Sequence, residues 1–182
     1  MEALQNVPSR LLYRANATAF AGGVIAGLCG TLVFAAARVS GFSPYSFELN
    51  AGALITGVHV AAVTPAVWMV GFVAKLLISG IIGLLYSGGF RLLDRAGWDL
   101  GAAFGVIHWV IAGSIMGMST ATGKLVQDPG YYGVNFGWPT FVLLFISHLM
   151  FGIVVGGLYM PARAPMTLEQ EHERDKVFKK VA

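Results

Sequence analysis

The sequence predicts an all-α membrane protein, a four-transmembrane-helix bundle with a short interfacial or re-entrant helix before the second span. Three observations carry that expectation. The chain has 182 residues, 56% of them hydrophobic and only 12% charged, whereas a soluble domain is about one quarter charged. The charges gather at the two ends and in a few short loops. Between them lie four apolar stretches close to the roughly 20 residues that a helix needs to cross a hydrocarbon core. The 24 glycines fit the same class, because small residues let membrane helices approach closely.

Residues 1–17 read as an amphipathic lead-in, with Ser9 placed to cap a short surface helix that carries Leu11, Leu12 and Tyr13 beside Arg10 and Arg14. The first span is 18–39, closed by Arg38 and Ser40-Gly41. No cleavable signal peptide is expected, since this run is too long for a signal core. A loop over 42–50 follows. Residues 49–64 are apolar but short, and Pro65 closes them. No polar linker separates them from the second span, 66–88, so they are expected to lie at the interface or to re-enter partway. Gly88-Gly89 is expected to end that span. The turn with Arg91, Asp94, Arg95 and Asp99 leads to the third span, 100–120. A loop with Asp128-Pro129-Gly130 precedes the fourth span, 139–160, which Trp138 and Pro139 open. The tail, 161–182, reads as a charged amphipathic helix, its glutamates leading and its lysines trailing, which complements the helix dipole.

Basic residues set the expected topology. Arg10, Arg14, Arg91, Arg95, Arg163 and the tail lysines fall on one side, and only Arg38 and Lys124 on the other. Positive residues favour the cytoplasm, so both termini are expected there, in a bacterial inner membrane. The aromatic residues of the outer loops suit an interfacial belt, and Tyr131, Tyr132 and Trp138, with Phe178 of the tail, are candidate docking residues. The net charge of +3 is no nucleic-acid footprint, and none is expected as a partner. The partners expected are the lipid bilayer and other membrane subunits. Cys29 is the single cysteine, so no disulfide within the chain and no cysteine metal cluster can form.

Three basic side chains stand out. Lys75, His108 and His148 each fall near the middle of an apolar span, where ionisable groups are costly and usually face a bundle interior or a cavity. Spacing puts each on a small-residue stripe: Gly71, Lys75, Ser79 and Gly83; Gly101, Gly105, His108 and Ala112; His148, Gly152, Gly156 and Tyr159. Residues at such offsets share one helix face. Gly23, Gly27 and Thr31 form a similar stripe in the first span. At 1.5 Å per residue, His108 lies roughly 13 Å from the cytoplasmic start of its span, His148 roughly 18 Å from the cytoplasmic end of its own and Lys75 about 14 Å from the outer end of its own, all close to mid-depth. The three are therefore expected to form one buried polar cluster. No Asp or Glu falls within the spans to pair with them, so Lys75 is expected to snorkel outward or stay uncharged. A cluster on packing faces is also expected to leave little room for a ligand.

The chemistry open to such a cluster is limited. Two facing histidines can ligate a b-type haem, with Gly105 and Gly152 clearing space for the macrocycle, or can hold a quinone. Lys75 with the histidines can form a transport or proton path. The bland reading is that each histidine bonds a neighbouring carbonyl or hydroxyl and fixes helix register. His59 with Glu48 and Asp128 is a thin metal candidate, and Met116, Met118 and Met150 read as packing. No H-E-x-x-H, G-x-S-x-G or phosphate-loop motif is present, and no span carries paired carboxylates, so catalysis is not assigned. The expected role is a small structural or stabilising subunit of a larger membrane assembly, with an energy-transducing (respiratory or photosynthetic) complex as candidate host. No resident metal is expected, and haem b is the candidate cofactor.

A set of motifs over residues 18–160 also resembles a known group. These are Gly22-Gly23, Gly27 and Gly30-Thr31, then Gly80-Ile-Ile-Gly-Leu-Leu-Tyr86, the turn Arg95-Ala-Gly-Trp98, Gly101-Ala-Ala-Phe-Gly105 and His108-Trp109. The last span adds Ser147-His-Leu-Met-Phe-Gly152 and Gly156-Gly-Leu-Tyr159. The pattern resembles bacterial four-span inner-membrane proteins of the YagU kind. The resemblance implies the fold and location already expected, and no catalytic residues. The extended outer loops and charged tail depart from the family's short form.

Overall fold

A computed structural model describes residues 9–57, 64–120 and 126–159. The amphipathic tail, the first eight residues of the lead-in, His59, Lys124 and Phe178 lie outside the described residues. The chain forms five α-helices among them: α1 (Ser9–Val39), α2 (Phe47–Thr56), α3 (Pro65–Leu92), α4 (Trp98–Thr120) and α5 (Trp138–Leu158). A 3-10 helix, Tyr131–Phe136, precedes α5. Four helices are long and apolar enough to cross a membrane: α1 from Tyr13, α3, α4 to Ser119, and α5. The protein is an all-α, multi-pass membrane bundle, with the short α2 inserted before the second span.

Element boundaries follow local chemistry. Leu49 N–H donates to the Ser46 hydroxyl, capping α2, and Gly57 ends α2 at φ 69°. That left-handed conformation is open to glycine without steric cost. The Thr64 side chain caps α3, and Pro65 stands in its first turn, where a missing N–H costs nothing. Two expectations are corrected. The first span is not preceded by a separate surface helix from Ser9 onward, because α1 is continuous from that residue; no glycine or proline interrupts 9–21. The second span does not stop at Gly88-Gly89. It runs to Leu92, because Gly89 is held against the Phe104 ring, where a Cβ would fall 2.6 Å from the ring edge. The chain turns only at Asp94, with φ 47°.

Backbone-close seams join the long helices in two pairs. Along α1 and α3, a Cβ on Gly23 would collide with the Ser79 carbonyl, and one on Gly83 with the Ala19 carbonyl. Along α4 and α5, Gly101 and Gly152 face one another with no room for a side chain on either. Helix α5 also packs on α1, whereas α3 and α4 touch little. Their contact is confined to Tyr86, Gly89 and Phe90 against Phe104 and His108, near the turn that connects them. Beyond that closed end the two helices part.

Helix α2 sits against α3 through a third glycine seam. Glu48 O lies over Gly71, and Gly52 lies over Val67 O. This order makes α2 antiparallel to α3. Its first turn points into the bundle, level with Gly71, and its last turn lies towards the start of α3. The short helix thus lies alongside the opening turns of the second span.

Candidate functional site

The first polar centre forms where α1, α2 and α3 meet. Lys75 Nζ donates to Glu48 Oε1 at 2.7 Å and to Thr31 Oγ1 at 2.8 Å. Thr31 Oγ1 donates to the same Glu48 oxygen at 2.9 Å. The other oxygen, Oε2, accepts from the Ser46 hydroxyl at 2.9 Å and has Arg38 Nη1 4.0 Å away. The Glu48 side chain is wholly buried and that of Lys75 is 15% exposed. Glu48 also stands in the first turn of α2, where the helix dipole favours a negative charge. Each charge therefore has an opposite partner and hydrogen bonds, the condition under which a buried ion pair is tolerated.

This centre overturns the expectation that Lys75 has no carboxylate to meet. The expected boundary at Leu49 leaves Glu48 in a loop, whereas the helix begins two residues earlier, at Phe47. Glu48 is thereby turned inward. It is not part of an outer metal site, and Asp128 instead accepts from Gly130 N–H at 3.0 Å within its own turn. Among the described residues no group of three His, Cys, Asp or Glu side chains is gathered to hold a metal ion.

The second centre lies between α3, α4 and α5. His108 and His148 bring their ring centroids to 4.6 Å in an edge-to-face contact. His148 Nδ1–H donates to the Leu144 carbonyl at 2.7 Å. The Tyr86 hydroxyl lies 3.4 Å from His108 Nδ1. Phe104 and Phe151 pack edge-on to Tyr86 at 5.5 and 5.7 Å, and Phe151 also packs on His108. The Nε2 atoms of both histidines have no hydrogen-bond partner among the described residues. A haem cannot be held between these rings, because their direct contact leaves no slot for a macrocycle. Nor do Gly105 and Gly152 clear space. A Cβ on Gly105 would sit 2.5 Å from His148 O, and Gly152 meets Gly101.

Lys75, His108 and His148 line one cavity of about 910 Å³, so the three predicted residues do share a space. They do not form one bonded cluster: Lys75 bonds only towards α1 and α2. The cavity also contradicts the expectation of tight packing. It fills the gap where α3 and α4 splay, with α1 and α5 as its back wall and α2 across one end. Ile78 and Leu85 on one lip and Ile107, Ile111 and Ile115 on the other are exposed. The opening therefore faces sideways, towards the surroundings of the bundle.

Loop contacts fix the α2 end. Asn50 and Gln127 exchange two hydrogen bonds, Nδ2 to Gln127 O at 2.9 Å and Gln127 N to Oδ1 at 2.8 Å. Gln127 Oε1 also accepts from Ser46 N–H at 2.7 Å. The docking candidates are divided. Tyr132 packs on Gly113, stacks beside Trp109 at 4.8 Å and bonds Ser114, so it serves its own chain. Tyr131 covers Gly117 yet is 54% exposed, and Trp138 is 69% exposed, stacked on Phe141. Sequence reasoning missed Tyr86, Asn50 and Gln127 as site residues, and it gave Glu48 the wrong partners. Only Glu48 carried a usable signal, as a lone acid at the edge of an apolar segment.

Comparison with family models, with curated proteins and with solved structures finds no match to this chain.

Proposed function

We propose that this protein is a small membrane-embedded binding subunit that holds a lipid-soluble molecule in the cleft between α3 and α4. The single observation that supports the reading is the splay of these helices, which leaves a cavity of about 910 Å³ open to the side. Sites for small molecules commonly measure about 300–1,000 Å³, mostly apolar with a few polar groups that fix orientation. Here the apolar lips belong to α3 and α4, and the polar groups include His108, His148, Ser147 and Lys75. A side opening suits a ligand that arrives through the bilayer. The aromatic closure by Tyr86, Phe90 and Phe104 supports holding over transport, since a continuous path would have to breach it. In this reading the chain lies in a bacterial inner membrane with both termini cytoplasmic, the side that its arginines favour.

A second reading is the structural subunit of a larger, energy-transducing assembly, with a partner's apolar helix laid in the cleft. The exposed row of Ile107, Ile111 and Ile115, spaced at one helical turn, favours it. One experiment separates the two. The full chain is purified in mild detergent, and its bound lipids and co-purifying proteins are identified by mass spectrometry. The ligand reading expects a stoichiometric apolar small molecule, lost from Ala112→Phe, which fills the cleft wall. A stoichiometric partner protein crosslinked at Ile111, with no small molecule, replaces it by the second reading.

A further inference from the structure

The two histidines specify more than an apolar ligand. His148 Nδ1 lies 2.7 Å from the Leu144 carbonyl. A carbonyl oxygen only accepts, so Nδ1 must carry the hydrogen, and in a neutral ring Nε2 then presents a lone pair. That atom has no partner among the described residues, and His148 lines the cleft. A ligand group meeting it must donate a hydrogen bond. The adjoining His108 has its Nδ1 opposite the Tyr86 hydroxyl at 3.4 Å. With the phenol donating to that nitrogen, His108 Nε2 carries a hydrogen and presents a donor. An acceptor and a donor are then offered by two neighbouring rings that both line the cleft, their centroids 4.6 Å apart. A hydroxyl satisfies both, because it donates once and accepts twice.

The surroundings narrow the class. Among the described residues the one lysine or arginine lining the cleft, Lys75, is already bonded to Glu48 and Thr31, so none of them offers an unneutralised charge to a carboxylate or a phosphate. Tyr86, Phe104 and Phe151 meet edge-to-face beside the histidines, and aromatic rings favour such contacts with a further planar ring. The lips beyond, Ile78, Leu85, Ile107, Ile111 and Ile115, offer apolar surface to a tail.

Resting on the cleft reading above, we propose that the site takes a neutral hydroquinone with an apolar tail, its ring hydroxyl donating to His148 from the cleft side, and that it prefers this reduced form to the quinone. The oxidised ring has carbonyl acceptors only, so it leaves the His148 lone pair unmet. Should His108 present a lone pair instead, the preference for a hydroxyl donor has the same sign, because it rests on His148.

The test uses the full chain in detergent micelles and equilibrium dialysis under anaerobic conditions. The probes are a decyl benzoquinone in its oxidised form, the same molecule reduced by dithionite, and decanol. The reduced probe is expected to bind about tenfold more tightly than the oxidised one, the worth of one net hydrogen bond. Decanol is expected to bind more weakly than either. In His148→Phe the preference is expected to fall to parity while the oxidised probe keeps its affinity. If that variant does not fold, the wild-type ratio decides alone. Equal binding of both redox forms, or tighter binding of the oxidised one, overturns the proposal and leaves the cleft reading standing. Decanol binding as tightly as the hydroquinone overturns the aromatic specificity. Binding of none of the probes removes the cleft reading as well.

Discussion

The two polar centres that line the cleft are built from similar material and left in different states. At the α2 end, Glu48, Lys75, Thr31 and Ser46 bond one another, with both carboxylate oxygens engaged. At the α3–α4 contact, His108 and His148 each use one ring nitrogen and leave the other open. The first centre is paired in charge, with two of the three Lys75 ammonium hydrogens engaged, and its place is structural: it ties α1, α2 and α3 together. The second has one unused group on each ring, which marks it as the place where something else can bind. A buried ionisable residue is therefore a poor guide to function until its partners are counted.

The comparison breaks most visibly at Lys75. Lys75→Met strands a fully buried carboxylate, and removal of one member of such a pair costs about 3–5 kcal/mol. The expected result is a large drop in thermal midpoint in detergent, recovered in good part by the double change Lys75→Met with Glu48→Leu. No recovery would show that Glu48 has a use besides pairing. The glycine seams come next. Gly152→Ala drives a Cβ into the Gly101 carbonyl, and overpacking costs about 1–3 kcal/mol, so α4–α5 separation is expected in a cysteine-crosslinking assay. His148→Phe, which enlarges the ring beside the open cleft, is expected to cost about 1–2 kcal/mol, below the Lys75 change. A loss as large as that of Lys75→Met would erase the distinction between the two centres. Asn50→Ala removes the reciprocal bonds to Gln127. Polar contacts between membrane helices average about 0.6 kcal/mol each, so a loss of about 1 kcal/mol is expected, with faster hydrogen exchange over 126–130. Smallest of all is Arg95→Ala. Its ion pair with Asp99 is exposed, and exposed pairs contribute about 0–1 kcal/mol.

Much of this was legible in the sequence, because the bilayer dictates length and composition directly. The four long helices and the stripe positions of Lys75, His108 and His148 follow from period and hydropathy alone. The carboxylate that answers Lys75 was hidden by a boundary. Setting the short segment to begin at Leu49 left Glu48 in a loop, whereas the Ser46 cap starts the helix at Phe47 and aims Glu48 inward. The cleft was hidden for another reason. Small-residue stripes show which faces can pack, and α1–α3 and α4–α5 used theirs on each other. Nothing in the spacing of α3 or α4 says that, once so engaged, the two would have little left to bring them together. The use of Tyr132 against Gly113 was likewise invisible, since it depends on the turn over Tyr131–Phe136 folding back across α4.

The taper between α3 and α4 has a geometric corollary. The helices close on each other at Phe104 and part towards α2. The bundle is thus narrow in outline at one face of the membrane and forked at the other. On the proposed cleft reading, a ligand entering through the fork comes from the lipid on the α2 side of the bundle, so the taper gives the site a sidedness that its apolar lips alone would not.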